Sequence, residues 1–169
     1  MNIKDQDLRT NALVFYEADM QAIESILEAF LKKSAAKCSL LVDQDGHMIT
    51  ARGMTQNVDL DTISALVAGS FAATKEMAKL LGEEHFACLF HQGERDNIQL
   101  SLVGDRTLLT ILFDDRTTVG MVRLYAGETA KKLAEVYQEC IVKNEEQGGP
   151  ELDQAYGDSA KEQLDNLFN

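Results

Sequence analysis

Three histidines, two aspartate clusters and one arginine are the residues whose types and spacing could do chemistry. His85 and His91 bracket an apolar stretch, and His47 follows Asp43-Gln-Asp-Gly46. Paired imidazoles can hold a transition metal, but a site needs a further ligand, and none falls at a fitting spacing, so no metal is expected. Asp43-Gln-Asp-Gly46 matches the opening of a calcium loop, yet the loop's last position, which supplies a bidentate glutamate, falls on Met54. A hairpin turn explains that stretch more simply. Asp114-Asp115-Arg116 offers a carboxylate pair for Mg²⁺, or an arginine for the transition state of a GTPase. A helix cap with a local Asp–Arg ion pair is the plainer reading. No phosphate-binding G-x-x-x-x-G-K-[ST], dinucleotide G-x-G-x-x-G, nucleophile-elbow G-x-S-x-G or H-E-x-x-H occurs. The expectation is a protein with no catalytic constellation and no cofactor of its own.

The bulk composition narrows the classes further. The chain has 169 residues, 45% hydrophobic and 26% charged, which suits one globular domain with extensions. A net charge of −12 repels nucleic-acid phosphate and anionic lipid, so neither is an expected partner. Cys38, Cys88 and Cys140 form no C-x-x-C pair, which fits a reducing compartment. The polar start MNIKDQDLRTN has no apolar signal core, and no run reaches the about 18 apolar residues of a membrane span. A cytoplasmic protein is expected.

The elements that position these residues follow from periodicity. Residues 1–12 are polar and expected to be flexible. Tyr16 to Lys33 carries Met20, Ile23, Ile26, Leu27, Phe30 and Leu31 at helical spacing. Cys38–Val42 and His47–Ala51 flank the turn and predict a hairpin. A second helix runs from Leu60 to Leu81, with N-cap residue types at Asn57–Asp61 and Gly82 suited to its end. His85–His91, Ile98–Leu102 and Leu108–Phe113 predict three more strands, the second half-buried and the third central because it is apolar on both faces. Asp114 and Asp115 are expected to cap a last helix from about Thr117 to Val142. Val119, Val122, Leu133, Val136 and Tyr137 would form its buried side, with Gly120 and Gly127 placed for close packing on the sheet. The order α-β-β-α-β-β-β-α with successive hairpins predicts an α+β layer fold around an antiparallel sheet. Residues 13–142 form the expected domain, 143–157 a linker, and 158–169 a short amphipathic helix or tail. Its face Ala160, Leu164, Leu167 and Phe168 is open to three readings: a disordered tail, a segment folded back on its domain, or a partner-binding helix.

The second helix has two faces. Ile63, Leu66, Val67, Thr74, Met77, Ala78 and Leu81 make a stripe expected to pack on the sheet. Opposite lie Ala65, Ala68, Gly69 and Ala72, with Glu76 beside them, almost bare of long side chains. Either the helix is sandwiched inside its own domain, or that side docks another subunit or partner.

LLVDQDGHMITARG, TQNVDLDTISALVAGSFAA, KLLGE and FHQGERDNIQLSLVGDRTLLTILFDDRTTVGMVRL together resemble the Roadblock family. The likeness covers roughly Tyr16 to Tyr137, and LDNLFN resembles the family's C-terminal end. Within the family it points to bacterial regulators of the small Ras-like GTPase MglA. The resemblance implies a Roadblock-like five-stranded antiparallel sheet, with the first and last helices on one face and the central helix on the other. It implies a homodimer whose central helices lie side by side and whose edge strands pair, His85–His91 being the candidate edge. Two copies would bind one MglA-like GTPase and accelerate its hydrolysis without donating an arginine finger, in control of cell polarity or gliding motility, with concentration at a cell pole. Ala65, Ala68, Gly69, Ala72 and Glu76 are the implied GTPase contacts. Ala160, Leu164, Leu167 and Phe168 would reach a second partner site that affects nucleotide exchange. Lys75-Glu76 departs from the small residues the family often has there, which leaves open a scaffold that binds without stimulating hydrolysis.

Overall fold

The computed structural model describes residues 15–146. The expected flexible start, most of the linker and the C-terminal face at Ala160, Leu164, Leu167 and Phe168 lie outside them. Of the described residues, Phe15–Tyr137 form one compact unit and 138–146 belong to another. The account below concerns the first.

The elements are α1 (Glu17–Ser34), β1 (Cys38–Asp43), β2 (Met48–Gly53), α2 (Leu60–Leu80), β3 (Cys88–Gln92), β4 (Asn97–Val103), β5 (Thr107–Phe113) and α3 (Val119–Glu146). The sheet is antiparallel in the order β2-β1-β5-β4-β3, so the apolar β5 is central, as its two-sided hydrophobicity predicts. Every residue of β5 is buried. One sheet face carries Cys38, Leu40, Val42, Leu100, Leu108 and Leu112, packed with Val67 and Phe71 of α2 and with Leu60 and Val58 at its start. The other face packs on α1, which also binds β2 through Thr50 and Arg52 to Glu24. Burial along β4 does not follow its alternation: its residues are buried or partly buried throughout, and Gln99 is fully buried between Ile98 and Leu100.

Local chemistry sets the ends of the helices. The Asp19 carboxylate accepts from the Tyr16 N–H at 3.1 Å and closes the start of α1. In α2, Asp59 Oδ1 accepts from the Thr62 N–H at 3.1 Å. Its far end is a Schellman turn: Glu83 N–H donates to the Ala78 carbonyl and Gly82 N–H to that of Lys79, with Gly82 at φ +77. The last helix departs from expectation at its start. Asp114 and Asp115 do not cap it. Thr118 does, its Oγ1 accepting from the Met121 N–H at 3.3 Å, because the helix begins only at Val119. That late start leaves Val119 36% exposed, outside the buried side formed by Val122, Leu133 and Tyr137. The helix continues to Glu146, past the expected end near Val142. Gly120 and Gly127 are both exposed, and a Cβ at Gly127 would meet nothing within 4 Å, so close packing does not explain them.

Candidate functional site

The outward side of α2 is the main candidate surface. The helix buries Ser64, Val67, Ala68, Phe71, Thr74 and Ala78. Of the stripe expected on the sheet, Leu66, Met77 and Leu81 instead face solvent, 67%, 51% and 72% exposed. Leu80 beside them is 87% exposed. A helical period reports a stripe of apolar residues but not what covers it. Here two apolar arcs adjoin, one on the sheet and one open.

The small residues also divide. Gly46, at the tip of the β1–β2 turn with φ +93, lies so close to α2 that a Cβ there would sit 3.1 Å from Ala65 Cα and 3.6 Å from Ala68 Cβ. Ala68 is only 6% exposed under this turn. Its size is therefore set by the chain's own hairpin. Ala65, Gly69, Ala72 and Glu76 are exposed, and nothing approaches a Cβ at Gly69 within 4 Å. At spacings of four, three and four they form one straight row. Leu66, Ala73, Met77 and Leu80 form the neighbouring row, turned away from the hairpin. That is the side of β3, since Ile63, Val67 and Phe71 pack toward Leu89, Leu100 and Leu102. Sequence reasoning does not single out Leu66, Ala73, Met77 and Leu80 together. Their joint signal is the exposed seven-residue recurrence, visible only once the buried arc is known. Glu76 projects from the first row with its carboxylate 2.6 Å from Lys79 Nζ, so its charge is compensated locally.

Beyond α2, β3 pairs only with β4 and leaves its other edge open. It runs Cys88–Gln92, so His85 lies outside it and the two histidines do not bracket one strand. The D-x-D-G stretch is a hairpin turn. Asp43 Oδ1 accepts from the N–H groups of Asp45 at 2.9 Å and His47 at 2.8 Å, and Oδ2 lies 3.1 Å from His47 Nδ1. Asp43, Asp45 and His47 each bring a ligand atom within 4.8 Å of the others, but on an exposed turn whose first carboxylate already serves the backbone.

Asp114-Asp115-Arg116 resolves as an ion-pair cluster at one end of the sheet. Asp114 accepts from Arg116 Nε at 2.9 Å and lies 3.3 Å from Lys37 Nζ, which also binds Asp96. The Arg116 hydrogen bond holds the Asp114 carboxyl down at about 2. Its folded value is below the ordinary ~3.9. Its stabilising contribution is therefore complete above about pH 5 and lost progressively as pH falls through 4 toward 2. In Asp114→Asn, melting temperature followed against pH should lack that part of the wild-type acid loss. An unchanged acid limb would contradict the assignment. Cys38 is buried, and burial pushes its thiol up to about 11, so it is an inert core residue. Among the described residues no helix is long and apolar enough to cross a membrane.

Comparison with known proteins agrees with this architecture. The Roadblock/LC7 domain family matches residues 22–113. Myxococcus xanthus MglB is 36% identical, with a TM-score of 0.71 over 76% of this chain and 96% of that one. The gliding protein MglB from Thermus thermophilus is 34% identical, with a TM-score of 0.72 over 76% and 97%. An MglB with a tetrameric arrangement is likewise 34% identical, with a TM-score of 0.73 over 76% and 97%. The curated proteins contain no match.

Proposed function

The chain belongs to the Roadblock/LC7 family and is MglB-like in fold, and from that premise we propose that it is a homodimeric regulator of an MglA-like small GTPase. The observation that carries this reading is the uncovered side of α2, where Leu66, Met77 and Leu80 stand in water. Contiguous apolar surface of this kind marks an interface. The two rows divide the work. The Leu66, Ala73, Met77 and Leu80 row, beside the open β3 edge, joins α2 to its copy while the edge strands pair, which removes an exposed edge. The Ala65, Gly69, Ala72 and Glu76 row then lies across the top of the paired helices. Ala65, Gly69 and Ala72, short or bare, let a GTPase approach the backbone beside Glu76, with Ala68 setting the helix against the hairpin below.

The regulator acts by differential affinity. It binds the GTP-loaded form and favours the geometry in which the GTPase's own arginine and glutamine surround the γ-phosphate. It lends no arginine finger; the engagement of Arg116 by Asp114 supports this. The segment with Ala160, Leu164, Leu167 and Phe168 reaches a second site on the GTPase and modulates exchange, as an amphipathic helix in a groove. Removing the residues after Gly149 should change the exchange rate; an unchanged rate and affinity would remove that role. The cellular setting is polarity or gliding motility, in the cytoplasm and concentrated at a pole. Phosphate release by an MglA-like GTPase, with and without this protein, tests the reading. Stimulated release is expected. Binding without stimulation would leave the scaffold reading, for which the Lys75-Glu76 departure is the sequence basis.

A further inference from the structure

On the sheet face away from α2, an open cleft of about 290 Å³ lies where the β3–β4 turn meets the loop after β5. Its floor is aromatic. Phe90 and Phe113 follow Leu89 and Leu112, which pack under α2, so their own rings point to the opposite face. The ring centroids are 6.1 Å apart with 23° between planes. Phe113 is buried, whereas Phe90 is half-buried and lines the cleft. Val119 lines one side.

Glu94, Asp114 and Asp115 line its rim together with Arg95. Asp114 is neutralised by Lys37 and Arg116. Glu94 and Asp115 are exposed, and the Arg116 guanidinium next to Asp115 is hydrogen-bonded to Asp114 instead. A phenyl floor beside two exposed carboxylates suits one chemistry, a flat cation with an apolar stem. Guanidinium meets both demands, stacking on a ring while its fork meets a carboxylate. The chain's net charge of −12 adds a long-range field that draws basic surfaces.

We propose that this corner receives an arginine side chain from a basic segment of a second protein partner. The guanidinium lies on Phe90 and bonds Asp115 and Glu94. The site faces away from the α2 rows, so its occupant and the GTPase would not compete, and the proposal stands without the GTPase reading.

The test uses the full chain, ¹⁵N-labelled, titrated with acetyl-Gly-Arg-Gly-amide and with the same peptide carrying neutral citrulline. Amide shifts should concentrate at Phe90, Glu94 and Phe113–Asp115 with the arginine peptide and be small with citrulline. The double variant Glu94→Lys, Asp115→Lys changes two exposed side chains and spares the Thr118 cap, so it should fold and bind about tenfold or more weakly. Shifts spread over the acidic surface, an equal response to citrulline, no response, or undiminished binding by the variant would overturn the proposal. So would a change in the variant's oligomeric mass, because the corner would then serve a second copy of this chain.

Discussion

Gly53→Ala should lower the melting temperature by about 10 °C, from a loss of about 3 kcal/mol in a domain of this size. Gly53 closes β2 at φ +100, where an L side chain is strained. A Cβ there would lie 2.4 Å from the Lys37 carbonyl oxygen and 2.9 Å from Cys38 Cα. Both are backbone, and β1 is locked between β2 and β5, so neither can yield cheaply. The contrast is Gly127→Ala on the open side of α3, where a Cβ meets nothing within 4 Å. It should stabilise by about 0.5–1 kcal/mol through helix propensity alone. Thermal unfolding of the two variants side by side checks both signs. A Gly53→Ala protein as stable as wild type would contradict the packing of the β1–β2 hairpin.

Leu66→Asp should turn a dimer into a monomer without unfolding it. Leu66 is 67% exposed in the single chain, so the substitution removes little from its core. In a symmetric pair each change acts twice. Losing a buried leucine costs about 1.5 kcal/mol or more per copy, hence roughly a hundredfold or more in the dimer dissociation constant, before the cost of burying two carboxylates. Light-scattering mass should halve while the far-UV spectrum and melting curve of the monomer stay cooperative. An unchanged mass would place the dimer contact elsewhere.

How far the sequence discloses this arrangement depends on the kind of signal. Turn and cap chemistry is local and reads directly: Asp59 and Gly82 bound α2, and Asp43-Gln-Asp-Gly46 makes its hairpin because the aspartate satisfies backbone N–H groups within the same few residues. The central place of β5 also reads directly, since an apolar run without alternation needs cover on both faces. Burial by distant elements does not. Gln99 looks like a solvent residue until the second layer is placed over it, and Leu66, Met77 and Leu81 look like core until α2 is seen to bury a different arc. On the sequence alone, Ala65 and Ala68 share one bare face with Gly69 and Ala72. Under the Gly46 turn, a tertiary contact from the preceding hairpin, Ala68 is buried while Ala65, Gly69 and Ala72 stay exposed. Asp114 looks like a cap because acids precede helices, but Lys37 and Arg116 compete for it more strongly.

The claim on which the function rests is that the short-chained row of α2 receives the GTPase. The most direct measurement is the affinity of the Ala72→Arg protein for a GTP-loaded MglA-like GTPase, with its dimer mass checked in parallel. Ala72 is exposed and outside the row assigned to the dimer, so the variant should keep fold and mass while binding falls at least about tenfold, as a long side chain blocks the close approach. Wild-type affinity in an intact Ala72→Arg dimer would contradict the account.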